Sequence, residues 1–167
     1  LSHSSAASDV YKRQKLDSAM TAHPKVDPIT GDMIGFSYGF GVNKMSYFVI
    51  NSKGVLTTFS EFETPYSSMV HDFVVTTKHI IFPIFPLIID FKLIAEGKSP
   101  LAWDARRASQ IGIMPRDGTV KDIKWIESDP CYVFHPMNAY EEEGKIIADM
   151  MQFEDCLLYT SPSPRDY

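Results

Sequence analysis

Short apolar runs rich in Val, Ile, Phe, Tyr and Thr alternate with polar turns along residues 15–155, and this pattern predicts β-strands almost throughout. Residues 34–40, aromatic and interrupted by glycine, form the first clear strand. Residues 45–50 and 55–62 flank the turn "NSKG" at 51–54, a spacing that predicts a hairpin. A second pair covers 73–77 and 79–85. The less regular section 90–105 holds a short helix. Further strands follow at 110–114, 120–126, 132–137 and 145–153, broken by "PRDG" and "EEEG". Met114, Pro115 and Arg116 read as a loop, and Glu141, Glu142 and Glu143 as a solvated turn before the strand at Lys145. Helical periodicity is weak everywhere. Many short strands with evenly spaced turns imply an all-β fold of the sandwich, barrel or propeller kind, and no internal repeat is close enough to choose among them.

Composition narrows the class of partner. The chain has 167 residues, 44% hydrophobic and 22% charged, enough for one buried core. Its net charge of -5, with no basic stripe, argues against nucleic acid or an anionic membrane as the partner. The longest apolar run, "IIFPIFPLIIDF" at 80–91, is broken by Pro83, Pro86 and Asp90 and falls short of the roughly 20 residues that a spanning helix needs. It reads as a buried strand followed by a loop, the alternative being a patch that rests on a lipid interface. Two cysteines, Cys131 and Cys156, make no disulfide framework and suit a reducing compartment, so a cytoplasmic location is expected. Cys131 reads as a small buried apolar residue.

The two ends read as foreign to the protein. Asp9 to Gln14, "DVYKRQ", can be encoded GAT GTG TAT AAG AGA CAG; the reverse complement, read one base on, encodes "CLLYTS", which is Cys156 to Ser161. Unrelated protein ends have no reason to share an inverted repeat, and both ends resemble translated adapters of a transposon-based sequencing library. Residues 1–14 and 156–167 are therefore set aside as adapter-derived tails, leaving 15–155 as one incomplete domain. His3 and Cys156 drop out as ligand candidates.

Three histidines sit in similar surroundings, each between a turn and an apolar strand: His23 in "TAHPK", His71 in "MVHDF" and His135 in "VFHPMNAYEE". His79, in "TTKHIIF", reads as a surface residue at a strand start. Separations of 48 and 64 residues exceed any local metal motif. The fold has to bring them together. A propeller does so, because its blades of about 40–50 residues all point their innermost strands at one axis.

"AHPKVDPITGDMIGFSYGF", "MVHDFVVTTKHIIFPIFPL", "IGIMPRDG" and "FHPMNAYEEEGKIIAD" resemble, in order, successive blocks of the carotenoid cleavage oxygenases, above all their stilbene-cleaving, lignostilbene dioxygenase-like branch. The resemblance runs through residues 15–154. It implies part of a seven-bladed β-propeller, about three blades, with Fe(II) on the axis. It also implies that His23, His71 and His135 are three of four histidine ligands, the fourth having no counterpart here, and that no carboxylate of this segment serves as their outer partner. The implied reaction is oxidative cleavage of a carbon–carbon double bond in a stilbenoid or a carotenoid-derived substrate, with O2 consumed and two carbonyl products formed. Neutral imidazoles suit Fe(II) and leave its +2 charge unoffset. Two other readings stay open: a three-histidine zinc hydrolase, for which only the histidine count speaks, and a non-catalytic binding module with structural histidines. Phe73, Phe82, Phe85, Tyr132 and Phe134 read as core packing first and tunnel lining second. Asp72, by strand alternation, faces away from His71.

Overall fold

The computed structural model describes Leu16 and residues 18–154; the tails at 1–14 and 156–167, with His3 and Cys156, lie outside the described residues. Strands β1 (Lys25–Val26), β2 (Met33–Tyr38), β3 (Lys44–Ile50) and β4 (Leu56–Glu63) pair in sequence as one antiparallel sheet. A second sheet takes β5 (Val74–Val75), β6 (His79–Ile84), β9 (Ser109–Pro115) and β10 (Lys124–Ser128) in the order β10-β9-β6-β5. Between β6 and β9 the chain makes a small excursion through β7 (Leu87–Ile89), α1 (Phe91–Ala95) and β8 (Leu101–Trp103), with β7 and β8 paired antiparallel. A last hairpin joins β11 (Pro136–Glu142) to β12 (Lys145–Met150). Its two-residue loop has both Glu143 (φ 50) and Gly144 (φ 75) in the left-handed region, the requirement of a type I′ turn. Strand accounts for 46% and helix for 6%, in line with the all-β pattern.

The sheets are held face to face by aromatic rings. Phe36 of β2 meets Phe73 at 5.1 Å, and Phe82 of β6 is met by Phe62 of β4 at 5.1 Å, by Tyr47 of β3 at 6.3 Å and by Phe73 at 6.3 Å. All of this lies in one core with Ile34, Met45, Ile80, Ile84 and Met114. A second core, Phe85, Leu87, Cys131, Tyr132 and Val133, joins the second sheet to the last hairpin. Consequently every residue from 80 to 87 is buried, while Ile88, Ile89 and Asp90 are half-buried and Phe91, at the end of the proline-punctuated run, is exposed. Strand β4, with one face outward, instead alternates residue by residue. Among the described residues no helix is long and apolar enough to cross a membrane.

Several boundaries differ from the sequence expectation, for local reasons. The strand expected at 120–126 divides into a 3-10 turn, Val120–Asp122, and β10, because Thr119 and Asp122 cap that turn reciprocally. Residues 131–133 are apolar because they fill the second core; the strand expected at 132–137 begins only at Pro136, and Tyr132 makes an isolated bridge to Phe153. Met114 and Pro115 belong to β9 and not to a loop, Pro115 pairing with His79. Glu141 and Glu142 are strand residues, so the turn is confined to Glu143 and Gly144. The helix expected within 90–105 is present, its N-terminus capped by Asp90 accepting from the Lys92 amide.

Candidate metal centre

His23 lies just before β1, in a segment pinned to the first sheet. The Thr21 amide donates to the Phe36 carbonyl at 2.8 Å, and the Thr21 hydroxyl accepts from the His23 amide at 3.1 Å. His71 occupies the connection from β4 to β5, with the Met69 amide on the Leu87 carbonyl at 2.8 Å. His135 follows the second core directly, next to Phe134, whose ring packs on Tyr132 at 4.7 Å and meets the His71 ring edge-on at 5.6 Å. Three segments from different parts of the fold thus deliver three imidazoles to one place.

The convergence is at one atom type. The Nε2 atoms of His23 and His71 are 3.1 Å apart, those of His71 and His135 3.1 Å, and those of His135 and His23 3.2 Å. Ring planes are inclined by 59°, 75° and 88°, so the imidazoles aim at a common point and do not stack. Neutral imidazoles carrying their protons on Nδ1 would place three lone pairs there, an arrangement that is repulsive alone and favourable around a cation. The edges of the triangle suit one ion bound at imidazole distances of about 2.0–2.1 Å. Burial, first, and then the neighbouring His23 and His135 hold His71 below the ordinary histidine range, with Asp72 acting the other way. The lowered value favours the neutral imidazole, the form that can bind a metal. His23 and His71 are half-buried and His135 is exposed, so the group can hold a metal ion with one side still open among the described residues.

The remaining expectations sort clearly. Phe73, Phe82, Phe85 and Tyr132 are core residues, while Phe134 is the aromatic that reaches His71. Asp72 is buried and turned to the Lys25 ammonium, at 2.7 Å, in keeping with its expected direction. His79 is a correction: it is half-buried, and its Nδ1 lies 3.1 Å from Glu141, which also accepts the Lys78 amide at 3.0 Å and the Thr76 hydroxyl. The Glu141 side chain is accordingly not solvated but 13% exposed. Arg116, expected in a loop, reaches Asp27 at 2.6 Å and the Thr76 carbonyl at 3.3 Å. Sequence reasoning missed these polar pairs because their members stand 47, 62 and 89 residues apart, with no motif to connect them.

One of these pairs carries a pH signature. The Arg116 guanidinium, with the Ile29 and Thr30 amides, lowers the Asp27 carboxyl below its ordinary value of 3.8. A carboxyl lowered by folding stabilises fully above its unfolded value and loses that contribution as pH falls through its folded value. Asp27→Asn is therefore expected to lower the thermal midpoint at neutral pH while flattening its decline below about pH 4. A midpoint series from pH 7 to pH 3 that runs parallel in parent and variant would contradict this.

Residues 6–166 match the family described as retinal pigment epithelial membrane protein. The chain is 37% identical over 147 residues to isoeugenol monooxygenase of Pseudomonas putida, covering 86% of this chain and 31% of the relative. It is 34% identical over 147 residues to carotenoid cleavage oxygenase 1 of Neurospora crassa, covering 85% of this chain and 28% of the relative. The crystal structure of Pseudomonas brassicacearum lignostilbene dioxygenase superposes with a TM-score of 0.78 at 32% identity, over 89% of this chain and 32% of that one. The chain therefore spans about a third of the length of these relatives, and its two four-stranded sheets and hairpin are part of their propeller fold.

Proposed function

The chain belongs to the retinal pigment epithelial membrane protein family, and from that membership we propose that the full-length protein is an Fe(II) dioxygenase that cleaves an alkene. The single observation that carries the proposal is the meeting of three Nε2 atoms within 3.2 Å, drawn from residues 48 and 64 positions apart. His23, His71 and His135 would hold the iron, and an all-imidazole set suits it without offsetting its charge. When bound, the iron supplies the activation of O2 that oxidative cleavage of a double bond to two carbonyl products requires. The chain's own residues orient and exclude. Phe134 stands edge-on to His71 and restricts rotation of that ring, while the aromatic second core behind it keeps the backbone of His135 in place. His135 is exposed, so that side of the cluster is open among the described residues.

Names among the relatives define the substrates to try: isoeugenol, the hydroxylated stilbene resveratrol and an apocarotenoid. Full-length protein reconstituted anaerobically with Fe(II) and then exposed to air is expected to convert at least one of them to two carbonyl fragments. Iron-loaded protein that leaves all three intact would refute the proposal. Zinc uptake in preference to iron, together with ester hydrolysis, would favour a hydrolase instead.

A further inference from the structure

We infer that the Lys25–Asp72 ion pair positions His23 and His71 against each other, and so sets the affinity and geometry of the metal site without touching the metal; this rests on the metal-binding reading above. The two histidines precede strands of different sheets, since β1, after His23, pairs with β2 whereas β5, after His71, pairs with β6. With the ring protons on Nδ1, three converging lone pairs would oppose the assembly of the site before metal binds, and a tie between those sheets would counter that. Lys25 stands two positions after His23, and Asp72 is adjacent to His71. A displacement at the pair thus reaches a ligand over less than about 7 Å of extended backbone.

The tie is well held. Lys25 Nζ meets Asp72 Oδ1 at 2.7 Å, and the same oxygen accepts the Phe73 amide at 2.7 Å. The ammonium also lies 5.6 Å from the centre of the Phe73 ring, which is fully buried in the core between the two sheets. The Asp72 side chain is 5% exposed and that of Lys25 31%, so the carboxylate has little water to replace a lost cation. Asp27 and Arg116 join the same two sheets farther from the histidines, Asp27 being four positions from His23. They provide an internal comparison: docking of the sheets in general should depend on both pairs, alignment of the ligands mainly on Lys25 and Asp72.

The test uses full-length protein with Co(II) as the probe metal, reading affinity by competition with a chelator and ligand geometry by the d–d absorption. Lys25→Met and Asp72→Asn are each expected to weaken cobalt binding on the order of 10-fold, the scale of an outer partner of a metal ligand, and to alter the spectrum. Lys25→Arg should restore both, and Asp27→Asn should leave both at the parental level while lowering thermal stability. Parental affinity and spectrum in Lys25→Met and Asp72→Asn would overturn the inference, whatever their stability. Should Asp72→Asn fail to fold, Lys25→Met, at the more exposed partner, decides by itself. A parent protein that binds no cobalt would overturn the metal reading and this inference together, whereas a binding parent with indifferent variants overturns the inference alone.

Discussion

Replacing His71 by alanine is expected to weaken iron binding by more than about 100-fold, since even the outer partners of metal ligands cost about 10–100-fold, and to abolish the alkene cleavage proposed for the full-length protein. His71 shares a 3.1 Å Nε2 contact with each of the other two imidazoles at its stage of the triangle: directly with His23 and directly with His135. Its loss leaves His23 and His135 as the described donors, 3.2 Å apart and on segments from opposite ends of the chain. The matched control is His79→Ala. His79 stands outside the metal group and pairs with Glu141, so its removal should spare iron content and cost stability only. Iron content by elemental analysis, normalised to folded protein, reads both variants. Equal iron in His71→Ala and parent would mean that the histidine cluster is not the binding site.

The second large effect is structural. Phe82→Ala is expected to destabilise by about 3–5 kcal/mol, the range for emptying a fully buried aromatic position. Phe82 is the ring on which the two large sheets meet, with Phe62 and Tyr47 from one side and Phe73 alongside in a near-parallel stack of 12°. A cavity there loosens the docking of the sheet that carries His23 against the sheet that follows His71, so metal affinity should fall together with stability. Phe82→Leu, which refills part of the volume, should recover part of each. Denaturant unfolding and cobalt affinities of the two variants check this; a loss of unfolding free energy below about 1 kcal/mol for the alanine variant would show that the rings do not dock the sheets.

The three histidines that cluster were legible in the sequence and their scaffolding was not, for a physical reason. His23, His71 and His135 each stand in a block with its own turn and apolar strand, and the blocks resemble one family in order. Alternation and turn residues likewise located β2, β3, β4 and β6 to within a residue or two. Apolarity, however, reports burial and not conformation. Residues 131–133 are as apolar as any strand, yet they fill a core in irregular backbone, and the strand beyond them is more polar. Polar contacts were less visible still. Glu141, in an acidic run, looks like a solvated residue until β11 comes against the β5–β6 turn and its carboxylate is claimed by Thr76, Lys78 and His79. Lys25 and Asp72 could be named only as neighbours of histidines; that they are neighbours of each other is a property of the packed sheets.

The most direct measurement is anomalous scattering at the iron edge from crystals of the full-length protein loaded with Fe(II). A single iron peak is expected within bonding distance, about 2.1 Å, of Nε2 on His23, His71 and His135 alike. An iron peak elsewhere, or the three imidazoles apart from one another in iron-loaded crystals, would contradict it.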